Sequence, residues 1–224
     1  MTALLAEKLR ELIFVIPCVL VSLTFHEFAH GWVAMKLGDP TARNLGRLTL
    51  NPLKHLDPIG TICMIFFHFG WARPVPINSR YFKKPKRDMA LTAAAGPIMN
   101  FLLAFVSAFI TQGLIFVFTK YPVSSSVFLF GVRQSAVTLF STFHILNLSL
   151  GLFNLIPLPP LDGSRLLFIF LPSKWYFGIM KYERYIMLGF LVLLWSGIIT
   201  LPLSVLVKTI SNGMFSLANL VFPL

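Results

Sequence analysis

Four stretches of this chain, residues 12–35, 91–119, 138–158 and 185–207, stay apolar long enough to cross a bilayer, whose hydrocarbon core takes about 20 helical residues to span. Inside hydrocarbon every backbone N–H and C=O must find its partner within the protein, so such runs fold as helices. A fifth run, 58–69, is too short to span. Composition agrees: the chain is 56% hydrophobic and 12% charged, with a mean hydropathy of +0.78, against about 25% charged residues in an ordinary soluble domain. The expected fold class is an all-α membrane protein: one domain over residues 1–224, a polytopic helical bundle of about four to five spans. The first run carries ionisable residues and no run is followed by a small-residue cleavage site, so the N-terminal helix is expected to be retained.

The net charge of +11 admits two partners, nucleic acid or an anionic membrane surface, and its distribution decides between them. Lys36, Arg43, Arg47 and Lys54 form one cluster, Arg73, Arg80, Lys83, Lys84, Lys86 and Arg87 a second, and Lys174, Lys181 and Arg184 a third. Each lies between apolar runs, which is the signature of cytoplasmic loops. No nucleic-acid motif accompanies them, so nucleic acid is excluded and the lipid bilayer is the expected surroundings. With these loops inside, the first helix runs inward. The short run 58–69 has basic residues on both sides and so reads as a re-entrant segment, within 48–70. The next helix runs outward from near Met89, and a weakly charged outer loop holds Lys120 and Arg133. The following helix returns inward and is broken by the prolines of "IPLPPLDG", which cannot continue a regular helix. Helix resumes over 164–171, and the last span, 185–207, runs outward. Cys18 and Cys63 both sit in apolar runs and read as small buried hydrophobes.

The first span contains "FHEFAHGW". His26 and His30 are four residues apart, so on a helix they share a face with about 6 Å of rise between them, and two imidazoles so placed can hold one divalent ion. Glu27 is aimed beside them, where a carboxylate can take a proton from water. Ionisable groups are costly at membrane depth and default to function. A catalytic zinc site takes a third protein ligand. Only Glu27 and Asp162 are acidic residues at expected membrane depth, so Asp162 is the natural third ligand; its alternative role is to cap the helix that "PPLDGSR" opens. Asn154, in "GLFNLIPLPP", can donate to the oxyanion formed when a carbonyl is attacked or can bond to a neighbouring helix. For Gly96, Pro97 and Asn100, in "AAAGPIMNFLLA", close helix packing through small residues, with Asn100 able to bond across it, is the better reading. His55 and His144 are left outside the zinc shell.

These segments together resemble the site-2 protease family of intramembrane zinc metalloproteases. "FHEFAHGW", "AAAGPIMN" and "FNLIPLPPLDG" occur in the family's order, and "GDPTARNLGRLTLNPLKHLDPIGT" and "GWARPVPIN" are similar to its compact prokaryotic form, which lacks PDZ and CBS modules. The resemblance covers roughly residues 23–171. It implies one zinc ion per chain held by His26, His30 and Asp162, with Glu27 activating water and Asn154 assisting near the scissile carbonyl. It also implies an enzyme of a prokaryotic inner membrane that cleaves transmembrane segments of membrane proteins near the cytoplasmic side. The rival reading is a zinc-binding membrane protein without protease activity, either a metal transporter or a catalytically silent substrate-binding relative. A transporter needs an ionisable path across the bilayer, and beyond His144 the outer halves of the expected spans offer none.

Overall fold

The structure is a computed structural model that describes residues 2–58, 60, 72–122 and 126–223. The described residues form eight α-helices: α1 (Thr2–Lys36), α2 (Thr41–Asn44), α3 (Pro85–Lys120), α4 (Val127–Asn154), α5 (Asp162–Leu167), α6 (Ser173–Lys181), α7 (Glu183–Trp195) and α8 (Thr200–Val221). Two 3-10 turns, Pro52–Lys54 and Ser79–Tyr81, lie between α2 and α3. Four segments are long and apolar enough to cross a membrane: Glu11–Lys36, Pro85–Lys120, Val127–Asn154 and Thr200–Val221. The chain is an all-α, polytopic integral membrane protein.

Helix α3 is the hub, packing against α1, α4, α5 and α8. Its buried face is built largely from small residues, among them Ala90, Ala93, Gly96, Ala104 and Ala108. Lipid tails are as apolar as leucine, so helices in a bilayer gain little by burying large apolar groups, and small residues that let backbones approach supply the packing. Helix α1 lies antiparallel to α3, with Ser22 and His26 level with Asn100 and His30 level with Thr92. Helix α4 is also antiparallel, with His144 level with Ala104, Asn147 with Asn100, and Gly151 against Pro97. Polar groups at matching heights therefore set the register of three spans.

The ends of these helices follow local chemistry. Gly38, at φ +110, turns the chain out of α1, a conformation that side-chain-bearing residues rarely adopt. The Ser126 hydroxyl accepts from Leu129 N–H at 3.3 Å and caps α4. Beyond α2, Leu56 and Ala72 form an antiparallel bridge, and Arg73 N–H donates to His55 C=O at 2.8 Å. This bridge brings both ends of the intervening stretch together. The expected re-entrant run itself falls on residues 59 and 61–71, outside those described.

Two expectations about the spans are corrected. Lys120 and Arg133, expected in the outer loop, both lie in helices, since α3 runs to Lys120 and α4 starts at Val127; Arg133 donates from α4 to Tyr121 C=O at 2.7 Å. The expected last span, 185–207, is two helices. α7 ends at Trp195, Gly197 takes a left-handed φ of +82, and α8 begins at Thr200. At 13 residues, α7 extends about 20 Å, short of the roughly 30 Å hydrocarbon core. Hydropathy reads the stretch as continuous because the break costs only a serine and a glycine. It then stops before Lys208, a lysine that α8 carries inside its own span.

Candidate metal centre

Helices α1 and α5, distant in sequence, meet over α3. His26 Nε2 and His30 Nε2 are 3.0 Å apart, and each lies 3.1 Å from Asp162 Oδ2. The imidazole rings are nearly perpendicular, at 85°. Both histidines are buried, and these three residues form the one cluster of three potential metal-binding side chains among the described residues.

Partners on the far side of each ring settle which nitrogen faces the cluster. His30 Nδ1 is 2.7 Å from the Thr92 carbonyl oxygen. A carbonyl can only accept, so Nδ1 carries the proton and Nε2 presents a lone pair. For His26 the same result is reached through two amides. Asn147 Nδ2 donates to Phe143 C=O at 2.9 Å, its Oδ1 accepts from Asn100 Nδ2 at 2.8 Å, and Asn100 Oδ1 accepts from His26 Nδ1 at 2.5 Å. The amide orientations thus start from a main-chain carbonyl and end at the ring. Two nitrogen lone pairs and a carboxylate oxygen converge, and lone pairs so close repel unless a cation lies among them. The donor set, two imidazoles and one carboxylate, is that of a catalytic zinc site with an open position, and the supported far nitrogens are the usual outer support of metal-binding histidines. The residues present fit zinc.

The backbone makes room for this arrangement at two glycines. A Cβ on Gly96 would lie 2.6 Å from His26 Nε2 and as close against His30 Nε2. A Cβ on Gly163 would collide with the carbonyl oxygens of Leu155 and Ile156, so the glycine lets α5 fold tightly onto the broken end of α4. Asp162 sits at the first position of α5, whose N-cap is Leu161 with no side-chain cap bond. The capping alternative for Asp162 therefore has no hydrogen bond behind it.

Glu27 is buried one residue from His26, and its Oε2 accepts from Val75 N–H at 2.8 Å. Segment 72–78, which supplies Val75, is anchored in turn by buried Asp39. One Asp39 oxygen accepts from Asn78 N–H at 2.6 Å; the other accepts from the Thr41 N–H at 2.9 Å and from the Thr41 hydroxyl. A cavity of about 370 Å³ opens over the cluster, lined by His26, Glu27, His30, Asn154, Asp162 and Arg165, with Phe190 of α7 also in its wall. Asn154 faces this cavity, while its amide nitrogen donates to Leu150 C=O of its own helix at 3.0 Å.

His55 and His144 lie apart from the cluster: His55 Nε2 bonds Thr49 C=O at 2.8 Å, and His144 bonds Ala104 C=O and the Ser211 hydroxyl. The sequence reading of Gly96 and Asn100 as residues of close packing with a bond across it agrees with the structure, where Gly96 lets the histidine rings lie against α3 and Asn100 bonds across helices; the sequence reading did not name His26 as the partner. A legible signal existed. Asn100 and Gly96 are four residues apart and share one face of a span, and an amide at membrane depth must have a polar partner.

The comparisons with known proteins agree with this chemistry. Residues 14–196 match the model of peptidase family M50. YwhC of Bacillus subtilis, named as a candidate zinc metalloprotease, is 44% identical over 180 residues, covering 80% of this chain and 79% of its own length. MJ0392 of Methanocaldococcus jannaschii, named a zinc metalloprotease, is 29% identical over 161 residues, covering 72% of this chain and 34% of its own length. Rip2 of Mycolicibacterium smegmatis, another candidate zinc metalloprotease by name, is 29% identical over 157 residues, covering 67% of this chain and 54% of its own. No solved structure matches. A zinc-type donor triad inside a helical membrane protein, and a family match over most of the chain, make the same assignment: the chain belongs to peptidase family M50, the site-2 protease family of zinc metalloproteases.

Proposed function

We propose that this protein is an intramembrane protease that hydrolyses a peptide bond in or near the transmembrane segment of another membrane protein. The observation that carries the reading is the triad of lone-pair donors, 3.0–3.1 Å apart, with a carboxylate beside it in a cavity among spanning helices.

His26, His30 and Asp162 hold the zinc ion. When bound, zinc supplies Lewis acidity, polarising a carbonyl and lowering the pKa of water toward about 7. Glu27 is the general base: Val75 N–H holds its Oε2, which leaves Oε1 to take the proton from the attacking water and to pass it to the leaving amine. Asn154 lines the same cavity, and by exchanging its bond to Leu150 C=O for one to the substrate it stabilises the developing oxyanion. The substrate helix has to unwind locally, because a helical peptide bond has its carbonyl engaged. The basic residues between spans favour a cell membrane with the site toward the cytoplasm, from which water reaches it.

The test is cleavage by the purified chain, reconstituted with zinc in lipid vesicles, of single-span membrane proteins whose spans carry a helix-breaking residue, with products located by mass spectrometry. Cuts within or beside the span, lost in Glu27→Gln while about one zinc per chain is retained, are expected. Intact substrates with zinc bound would favour the catalytically silent relative. Cleavage of soluble peptides alone would overturn the intramembrane reading.

A further inference from the structure

Helix α8, long and apolar enough to cross a membrane, carries Lys208 well inside its span. Its register is set by Ser211, whose hydroxyl lies 2.9 Å from His144 Nε2, while His144 Nδ1 donates at 2.8 Å to the carbonyl of Ala104, midway along α3. Lys208 is three residues before Ser211 and so only about 4.5 Å along the helix from that level. Even a long side chain reaches an interface from there with difficulty. Among the described residues Lys208 has no hydrogen-bond or ion-pair partner, and it is exposed on the outside of the bundle.

The lysine is not isolated on its helix. Thr200, Ser204, Lys208, Ser211 and Asn212 fall on one face at helical spacing, and with Ser149 of α4 they line a cavity of about 400 Å³ open to the side. This cavity shares no residue with the one over the metal centre. The rest of the lining is Ile145, Leu203 and Val207; a cation in a groove part hydroxyl and part aliphatic is a costly arrangement without an occupant, and intramembrane lysines pair with acidic groups. Hydroxyl and amide side chains also bond across helices in lipid.

We infer that the α4–α8 groove docks a transmembrane helix of a second protein, one that carries an aspartate or glutamate near the middle of its span. Charge complementarity with Lys208 selects this occupant. A second copy of the chain fits poorly: a two-fold pairing through this face sets Lys208 against Lys208, and the groove offers no carboxylate of its own. A lipid headgroup is excluded by depth. The partner is accessory to the metal centre, and the inference does not depend on what that centre cleaves.

The experiment places the zinc-loaded full chain in phosphatidylcholine vesicles with a synthetic leucine-alanine transmembrane peptide and reads association by energy transfer. Three peptides differ only at the midpoint: aspartate, leucine or lysine. The aspartate peptide is expected to associate at least about tenfold more tightly than the leucine peptide, a difference of roughly 1.4 kcal/mol. Lys208→Met should abolish that preference with zinc content unchanged, Lys208→Arg should keep it, and Lys208→Glu should transfer it to the lysine peptide. Equal association of aspartate and leucine peptides with the unaltered chain overturns the inference, with no variant needed. So does a preference that survives Lys208→Met, or self-association of the chain that Lys208→Met removes.

Discussion

Asn147 holds Asn100 by one bond, Nδ2 of Asn100 to Oδ1 of Asn147 at 2.8 Å, and that bond decides which end of the Asn100 amide meets His26. Because Asn100 Oδ1 takes the His26 Nδ1 proton, the ring's other nitrogen is left bare for a metal. A residue two contacts away from the centre thus governs a ligand's tautomer.

Asn100→Ala is expected to weaken zinc binding by about 10- to 100-fold, the usual cost of removing such outer support. Asn147→Leu should weaken it less, since Asn100 stays and only its orientation is freed. Competition against a fluorescent chelator measures both. Affinity unchanged in Asn100→Ala would show that the His26 tautomer is held by something else.

Gly96→Ala separates local propensity from the site. Alanine favours a helix over glycine by about 1 kcal/mol, so α3 alone would gain. The added methyl, however, would lie 2.6 Å from His26 Nε2, and the ligands must move. Zinc per chain should fall steeply while helical content by circular dichroism is maintained. Full zinc occupancy in this variant would mean the rings sit elsewhere.

At Asp162, charge is the variable. Asp162→Asn keeps size and shape but offers zinc a neutral oxygen, so occupancy and cleavage should both drop, and Asp162→Ala should abolish them. Neither change removes a helix cap, because Asp162 makes no cap bond. Chelation of the unaltered chain should lower its melting temperature, since the ion links separate helices. An Asn variant that holds zinc and cleaves at the original rate would refute the ligand role.

Asp39 lies away from the metal yet anchors the segment whose Val75 N–H holds Glu27. Asp39→Ala leaves the half-buried N–H groups of Thr41 and Asn78 without their acceptor, which destabilises the turn. We expect a lower kcat with zinc content unchanged, because the base loses its orientation and the ligands do not. A variant that loses zinc in parallel with activity would place Asp39 in the general stability of the fold.

Much of this was legible in the sequence because the membrane makes it so. Length and apolarity alone required helices, and the cost of ionisable groups in lipid singled out His26, Glu27, His30 and Asp162. What was not legible depended on partners. Asn100 reads as an amide that bonds across a helix interface, but nothing local to "GPIMN" says that its partner is His26, level with it on a neighbouring helix. Gly163 looks like part of a turn, yet its purpose is the approach of the Leu155 and Ile156 carbonyls. The break at Gly197 was missed because hydropathy counts apolar residues and is blind to a single left-handed φ. That miss also hid Lys208, which lies beyond the point where an apolar run seems to end.

The separation of 136 positions between His26 and Asp162 imposes an order on the protein's birth. Chains emerge N-terminus first, so α1 with both histidines and Glu27 enters the membrane while Asp162 has still to be made. The third ligand arrives only after α3 and α4 have been inserted and the chain has turned at Gly163. On the proposed reading, the histidine pair is until then an incomplete chelate, and a nascent or truncated chain carries no assembled hydrolytic centre into the bilayer. Completion of the bundle and arming of the enzyme are one event.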